Sequence, residues 1–453
     1  MVDLRIVDLS GRWQHFSLPA TEVDADTFAN GIPFDGSSVK GFRTIDQSDM
    51  LMSLDPHSAV IDPFASVPTL SVLADVRLPD GKEYGRDPRT VARRAERYLQ
   101  ASGIAETSYW GPELEFFLFD TVTHHLSPNA AGYRFDSEES VWDPSEVADH
   151  GYVIRPKDGY ALLPPHDATM DARTEIVQML RRQGVRVEMH HHEVGVAQQE
   201  IDIRYNTLTA QADTVMLYKH TVRNGARLHG KTATFMPKPL YGDNGSGMHV
   251  HQSLWTGGKP LFFEAGRYAN LSDIARAYLA GILIHAPALL AFTNPTTNSY
   301  RRLVPGYEAP VNIVFSRGNR SAAIRIPVTE SPVATRIEFR TPDPTSNPYL
   351  AFAACLLAGL DGVRRKLDPT ALGFGPVDKN IYELPAEEMA AIASVPGSLE
   401  EALSSLERDH EFLLAGGVFE EDLISTWVSM KREEADMVRL RPHPAEFTLY
   451  YDA

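Results

Sequence analysis

The chain has 453 residues, a formal net charge of −17 and an ordinary composition, 43% hydrophobic and 23% charged. That length predicts two or three domains, or one large domain with a smaller partner, with a sizeable core. The acid excess excludes a basic nucleic-acid surface, and it supplies the carboxylates that hard divalent cations need.

In chain order, residues 4–9 and 13–18 alternate as strands around a turn at residues 10–11, without the layout of a signal peptide. A third alternating run covers 70–76. Between them lies IPFDGSSVKGFRTIDQSDM, a loop rich in Gly, Ser and Asp. Asp87 as N-cap and Pro88 at the first helical position open a helix to Gly103. The domain boundary is placed there, giving a β-rich domain over 1–86 and a catalytic domain over 87–453. SYWGPELEFFLFD then reads as a strand, 166–184 as a helix, VRVEMHHHEVG as a strand and 206–230 as a long amphipathic helix. The apolar stretch 278–292 is short for a bilayer span and holds His285 and Pro287, so it is expected to be a buried helix; no membrane partner is expected. A second buried helix, 347–367, carries the lone Cys355; one thiol excludes a disulfide framework and a Cys-based zinc site and suits a cytoplasmic protein. Ser398 and Glu401 have capping-box spacing before a helix to about 417, and a last helix covers 420–438. The fold class is α+β.

Four stretches carry chemistry. In GPELEFFLFD, Glu113 and Glu115 share one strand face while Leu114, Phe116 and Leu118 take the other. Two carboxylates in an apolar run call for a raised pKa or a cation, a solvated E-x-E paired with lysines being the alternative. Glu193 and Glu200 flank a Gly-containing bend that can bring them to one point. Of the preceding histidines 190–192, adjacent strand residues face opposite ways, so the tract is read as mainly structural. In KPLYGDNGSGMHVHQS a Gly-rich turn feeds a strand with His249 and His251 on one face. In RIEFR, Arg336, Glu338 and Arg340 share a face, with Arg302, Arg320 and Arg325 just upstream. Arginines beside acidic ligands suit a polyphosphate held by two divalent cations, Mg²⁺ or Mn²⁺ by ligand hardness. Neither a P-loop nor a G-x-G-x-x-G fingerprint occurs.

With these residues in view, the chain resembles a type I glutamine synthetase over its whole length. The resemblance rests on FDGSSVKGFRTIDQSD, KPLYGDNGSGMHVHQS, NSYRRLVPGYEAPVNIVFSRGNRSAAIRIP and RIEFRTPDPTSNPYLAFAACLLAGLDG. It implies a small N-terminal β-grasp-like domain, then a large catalytic domain with a curved antiparallel sheet and flanking helices. It implies one metal on Glu115, Glu193 and Glu200 and another on Glu113, His249 and Glu338. Glutamate would be held by Asn244, Gly245, Arg302, Glu308, Arg320 and Arg340, with Glu308 on a closing flap. ATP would contact Glu188, Tyr205, His251, Ser253 and Arg336, with Arg320 and Arg325 on its phosphates. Asp35 and Ser38 would hold ammonium from a neighbouring subunit in a dodecamer of two six-membered rings, and Asp35, Glu308 and Arg320 would be the catalytic residues.

The family usually has a helix before its first strand, and here the strand begins at once, which is expected to weaken ring-to-ring contacts. DKNIYELPAEE resembles the segment that some members adenylylate, placing that modification, by an adenylylating enzyme, at Tyr382. The short spacing from Glu193 to Glu200 instead resembles the subgroup without that control. Two other functions stay open: a γ-glutamyl ligase for an organic amine, and a non-catalytic assembly protein keeping the fold.

Overall fold

The computed structural model describes residues 1–141, 151–305, 309–379, 387, 389 and 392–452. The N-terminal sheet is built from β1 (Val2–Val7), β2 (Trp13–Leu18), β3 (Ile32–Asp35), β4 (Asp49–Leu54), β5 (Val60–Ile61) and β6 (Leu70–Arg77), with α1 (Ala25–Asn30) between β2 and β3. Its order is β2–β1–β6–β4–β3, with β5 on β6. β1 runs parallel to β6. β1 stops two residues short of the predicted run because the Asp8 carboxylate accepts the Arg12 N–H (3.0 Å) and closes the turn to β2. Leu4, Ile6, Met50, Met52, Val72 and Val76 fill a separate small core.

α2 (Pro88–Ala101) starts where the sequence predicts. The buried Asp87 carboxylate caps it through Thr90 N (3.2 Å) and also takes the N–H of Val76 at 3.1 Å, which pins the helix start to β6. The chain continues through β7 (Thr107–Phe119), β8 (Thr121–Ser127), β9 (Ala130–Asp136), α3 (Met170–Arg182), β10 (Val187–His192), β11 (Gln198–Ile203), β12 (Asn206–Thr207) and α4 (Leu208–Leu228). It goes on through β13 (Thr232–Thr234), β14 (Met248–Thr256), β15 (Lys259–Pro260), α5 (Asp273–Thr293), α6 (Ser299–Arg302), β16 (Asn312–Arg317), β17 (Ala322–Ile326) and β18 (Ile337–Phe339). α7 (Pro348–Arg365), α8 (Leu399–Arg408), α9 (Glu421–Arg439) and α10 (Pro444–Tyr450) complete it.

The large sheet has the order β10–β11–β7–β14–β18–β17–β16, with β12 and β13 on β7 and β15 on β14. It is antiparallel except at its far edge, where β16 and β17 run parallel. The alternation along β7 sorts its faces: Leu114, Phe116 and Leu118 join the main core under the helices, while Phe117 and Phe119 pack into a second cluster.

α5 is long and apolar enough to cross a membrane by composition, yet 78% of that window is buried inside the protein against α7. The crossing is so close that only glycine fits: a Cβ on Gly281 would lie 2.1 Å from the Ala358 carbonyl oxygen, and one on Gly362 would lie 2.1 Å from that of Ala277. Asn347 caps α7 and donates from Nδ2 to the Asp8 and Leu9 carbonyls (3.2 Å each), tying the N-terminal domain to the central helix.

Two helices differ from expectation. α3 begins at Met170, because the Asp167 carboxylate takes up Thr169 N and Arg173 in a turn. α8 ends at Arg408 rather than near 417, since Phe412 and Leu413 turn inward and Gly416 takes a positive φ of 65°. The Glu401 carboxylate accepts from Gly397 N, one residue short of the capping-box partner, while Ser398 Oγ caps Glu401 N as expected. The β8–β9 hairpin and α10 had no signal read in the sequence.

Candidate active site

The functional side chains form rows across the large sheet, set by strand register. On β7, Gly111, Glu113 and Glu115 share a face, being two apart. Glu115 pairs with Glu200 on β11, which pairs with His191 on β10. Glu113 sits between Asp202 on β11 and His249 on β14. One step along, His251 of β14 faces Gly111 on one side and Glu338 of β18 on the other, and Glu338 faces Arg325 of β17. Residues from five strands thus meet because each pairs in a register that keeps its acid or imidazole on one face.

Two cavities lie on that face. The larger, about 610 Å³, is lined by Glu113, Glu115, Glu193, Glu200 and His249, by Asn244, Gly245, Arg302 and Arg340, and by Arg320 and Arg325. The smaller, about 370 Å³, is lined by Glu188, Tyr205, His251, Ser253 and Arg336. An edge-to-face aromatic wall completes it, with Tyr109 5.3 Å from Tyr205 and 5.5 Å from Trp255. Among the described residues, Glu113 and Asp202 line both cavities, so the two meet there.

Glu338 lines neither cavity, being wholly buried beneath them. It accepts from Arg325 Nε and from Arg340 Nη1 (2.6 Å), and its Oε1 is 3.7 Å from His249 Nδ1. Arg336 Nε donates to His251 Nδ1 (3.1 Å), which leaves His251 Nε2–H to donate to Glu113 (2.6 Å). Arg302 is buried and spends Nη1 on the Thr341 carbonyl at 2.9 Å.

Comparison with known proteins gives the family. The glutamine synthetase β-grasp domain family matches residues 1–79, and the glutamine synthetase catalytic domain family matches residues 85–450. A glutamine synthetase of Frankia alni is 55% identical over 458 residues, covering 100% of this chain and 96% of the relative. One of Mycolicibacterium smegmatis is 53% identical over 461 residues, with the same coverage, 100% and 96%. The chain belongs to the glutamine synthetase family. Its reaction is the ATP-dependent ligation of ammonium to L-glutamate. Among solved structures, a Plasmodium falciparum glutamine synthetase superposes with a TM-score of 0.91 at 29% identity, covering 99% of this chain and 95% of that one. A GmaS chain in complex with ADP reaches a TM-score of 0.83 at 29% identity, covering 100% and 96%.

The electrostatics of this face are set by burial and by the crowding of its acids. Burial and the neighbouring Glu193 push Glu115 up to about 8. Burial with Glu115 and Asp202 beside it pushes Glu200 well above the usual carboxylate range. Burial and Glu113 raise Asp202, whose Oδ1 is buried without a hydrogen-bond partner. Burial, aided by Arg340, pushes His249 down to about 4, so its lone pair is free at neutral pH. Crowded carboxylates, an orphaned carboxylate oxygen and a neutral imidazole are a donor set that fits a hard divalent cation.

The tightest donor groups differ in membership from the sets the resemblance implies. Donor atoms of Glu113, His251 and Glu338 lie within 4.8 Å of one another, as do those of His191, Glu200 and Asp202. His251 takes that place because it stands directly opposite Glu338 and its Nε2 lies 2.6 Å from Glu113, whereas His249 stands opposite Glu113 at 3.4 Å and one step along from Glu338 at 3.7 Å.

The histidine tract divides as strand alternation requires. His192 is buried and His190 lies beside Arg173 (3.3 Å), but His191 opens into the larger cavity. Asp202 and His191 are thus site residues the sequence reading missed. Their signal was periodic: Asp202 is two residues from Glu200, and His191 two from Glu193.

Asp35 and Ser38 line neither cavity; they sit at the exposed end of β3, where Ser38 Oγ donates to Asp35 (2.8 Å). Glu308 and Tyr382 lie outside the described residues.

Proposed function

We propose that this chain makes glutamine through γ-glutamyl phosphate at a site with two divalent cations, Mg²⁺ or Mn²⁺. One would be held by Glu115, Glu193 and Glu200, the other by Glu113, His249 and Glu338. The observation that carries this reading is the convergence of those six side chains, with Glu113 and Asp202 at the meeting of the two cavities. When bound, the cations neutralise phosphate charge and orient the transferring group. The smaller cavity is the proposed ATP site, with Glu188, Tyr205, His251, Ser253 and Arg336 as contacts. The proposed glutamate contacts are Asn244, Gly245, Arg302, Arg320 and Arg340, together with Glu308.

A carboxylate is a poor electrophile toward ammonia, because it is anionic and its leaving group would be oxide. Attack of the glutamate γ-carboxylate on the γ-phosphorus of ATP forms the acyl phosphate and releases ADP. Arg320 and Arg325, lining the larger cavity, are suited to the charge that crowds there. Ammonium then loses a proton to the Asp35 carboxylate, and the resulting ammonia displaces phosphate from the acyl carbon. Asp35 and Ser38 would serve the site of the next subunit, which their exposed position at the end of β3 supports. The assembly proposed is a cytoplasmic dodecamer of two hexameric rings, its chain dividing into domains over 1–86 and 87–453. Adenylylation at Tyr382 is proposed as its control.

The deciding experiment gives the purified protein glutamate, ATP and Mg²⁺, with and without ammonium, while particle size is measured. Glutamine formation that needs ammonium, in a particle of twelve subunits, is expected. Turnover on a panel of organic amines but not on ammonium would overturn the choice of nucleophile. Asp35→Ala is expected to spare ATP binding and cripple use of ammonium, and unchanged ammonium-dependent turnover would remove Asp35 from its role.

A further inference from the structure

Behind Glu193, on the side away from the larger cavity, lies a polar cluster that none of the roles above uses. Glu139 is a wholly buried acid, and His192 lies against it, also buried. His192 Nε2 donates to the Glu139 carboxylate at 3.1 Å, and His192 Nδ1 donates to the backbone carbonyl of Glu193 at 2.6 Å. The other Glu139 oxygen accepts from Ala168 N (3.0 Å) and from Thr169 Oγ (3.2 Å). The imidazole is therefore a strut between an anchored carboxylate and the peptide that carries the Glu193 side chain. The fit is close on the open side too: a Cβ on Gly159 would fall 2.5 Å from the Glu193 carbonyl oxygen and 2.8 Å from His192 Cε1. At the front, Glu193 Oε2 accepts from Val194 N (2.7 Å), and Glu193 faces His191 and Glu115.

We propose that Glu139 and His192 are positioning residues that hold Glu193 in place as a metal ligand. The proposal rests on the reading of Glu193 as a ligand. A carboxylate that must approach two other buried acids is pushed away by them, so its backbone needs an opposing hold. A buried charge-assisted hydrogen bond supplies that hold, and partners of this kind fix the orientation of ligating groups. Loss of the strut lets the 193–197 turn relax away from Glu115 and Glu200, and cation affinity at that site falls.

The test is Mn²⁺ titration of the full-length protein without nucleotide, reading free ion by electron paramagnetic resonance. The parent is compared with Glu193→Gln, Glu139→Gln, His192→Gln and a remote control, Asp409→Asn. Glu193→Gln is expected to lose one Mn²⁺ class. Glu139→Gln and His192→Gln are expected to weaken that same class about 10- to 100-fold and to leave the other unchanged. Asp409→Asn, which removes the charge that the His285 ring faces, is expected to lower Tm with no change in Mn²⁺ binding. In turnover assays the two strut variants should recover kcat at saturating Mn²⁺, a recovery that a general loosening of the fold does not give. If Glu193→Gln weakens binding while both strut variants bind as the parent does, the strut is overturned and the ligand reading stands. If Glu193→Gln itself binds as the parent does, the ligand reading falls. Should both strut variants fail to fold, Thr169→Val removes one donor to Glu139 and keeps the strut; a few-fold weakening of the same class is then expected, and parental binding overturns the proposal.

Discussion

Two groups of buried and half-buried acids in this molecule are balanced in opposite ways. Where α2 meets the N-terminal sheet and α4, Arg89 is buried and reaches three carboxylates, Asp55 (2.6 Å), Asp75 (2.7 Å) and Asp213 (2.9 Å). Arg93 adds a second cation to Asp55 and Asp75 at 2.7 and 3.0 Å. Burial opposes ionisation of Asp55, yet Arg89 holds that carboxyl below its usual range. On the functional face, Glu115, Glu200 and Asp202 are instead all raised, because burial acts together with neighbouring acids. The arginines of that face are engaged elsewhere, Arg325 and Arg340 on Glu338 and Arg302 on backbone carbonyls. A cluster that carries its own counter-charge is a joint; a cluster that lacks it is built to take charge from outside.

The sharpest way to break that contrast is to remove the cation from the balanced side. Arg89→Ala leaves the buried Asp75 and the half-buried Asp55 and Asp213 without their main partner and is expected to cost about 3 kcal/mol of stability. Denaturant melts should show the loss with Mn²⁺ affinity unchanged in the protein that remains folded. On the other side, Glu115→Gln should lower cation affinity and kcat/KM by about 100-fold. The same variant, free of metal, should melt about 2–4 °C higher than the parent near neutral pH, since it removes an acid that folding must protonate. A lower Tm for metal-free Glu115→Gln would mean that Glu115 is paired in the folded protein, and the contrast would fail.

The pH dependence has a definite sign. Glu115 goes from an ordinary value of 4.5 up to about 8 on folding. Between those values the folded metal-free protein holds more protons than the unfolded chain, so its stability falls as pH rises from about 5 to 8. Saturating Mg²⁺ should flatten that slope, and thermal melts across the range with and without cation would check it.

The smallest effect concerns His285, whose ring donates to Asp361 (3.0 Å) and Asp409 (2.8 Å), with Arg365 also on Asp361. Burial opposes its charge, but the two carboxylates raise its pKa above the ordinary 6.5. Its contribution is fully present below about pH 6.5 and is lost as pH rises through the raised value. His285→Gln should therefore lower Tm below that pH and matter less above it.

Much of this was legible in the residues themselves. The alternation in GPELEFFLFD put Glu113 and Glu115 on one face, and RIEFR did the same for Arg336, Glu338 and Arg340. Asp87 and Pro88 announced α2, because caps and φ restrictions act within a few residues. The long motifs that pointed to glutamine synthetases are read without any coordinates. Other features were not legible. His191 and Asp202 lie beside recognised acids, but nothing in one strand says which residue of another it will face. Nothing in the apolar runs 278–292 and 347–367 marks Gly281 and Gly362 as the points where α5 and α7 cross at contact distance.

The amino-acid order alone therefore determined which residues share a strand face, where helices begin, and the family the chain resembles. Only the tertiary structure decided that Glu200 meets Glu115, that Asp202 and His249 flank Glu113, and that Glu338 lies between His251 and Arg325. The reason is that side-chain direction within a strand follows from local backbone geometry, whereas register between strands comes from long-range pairing and from burying the opposite face in the core.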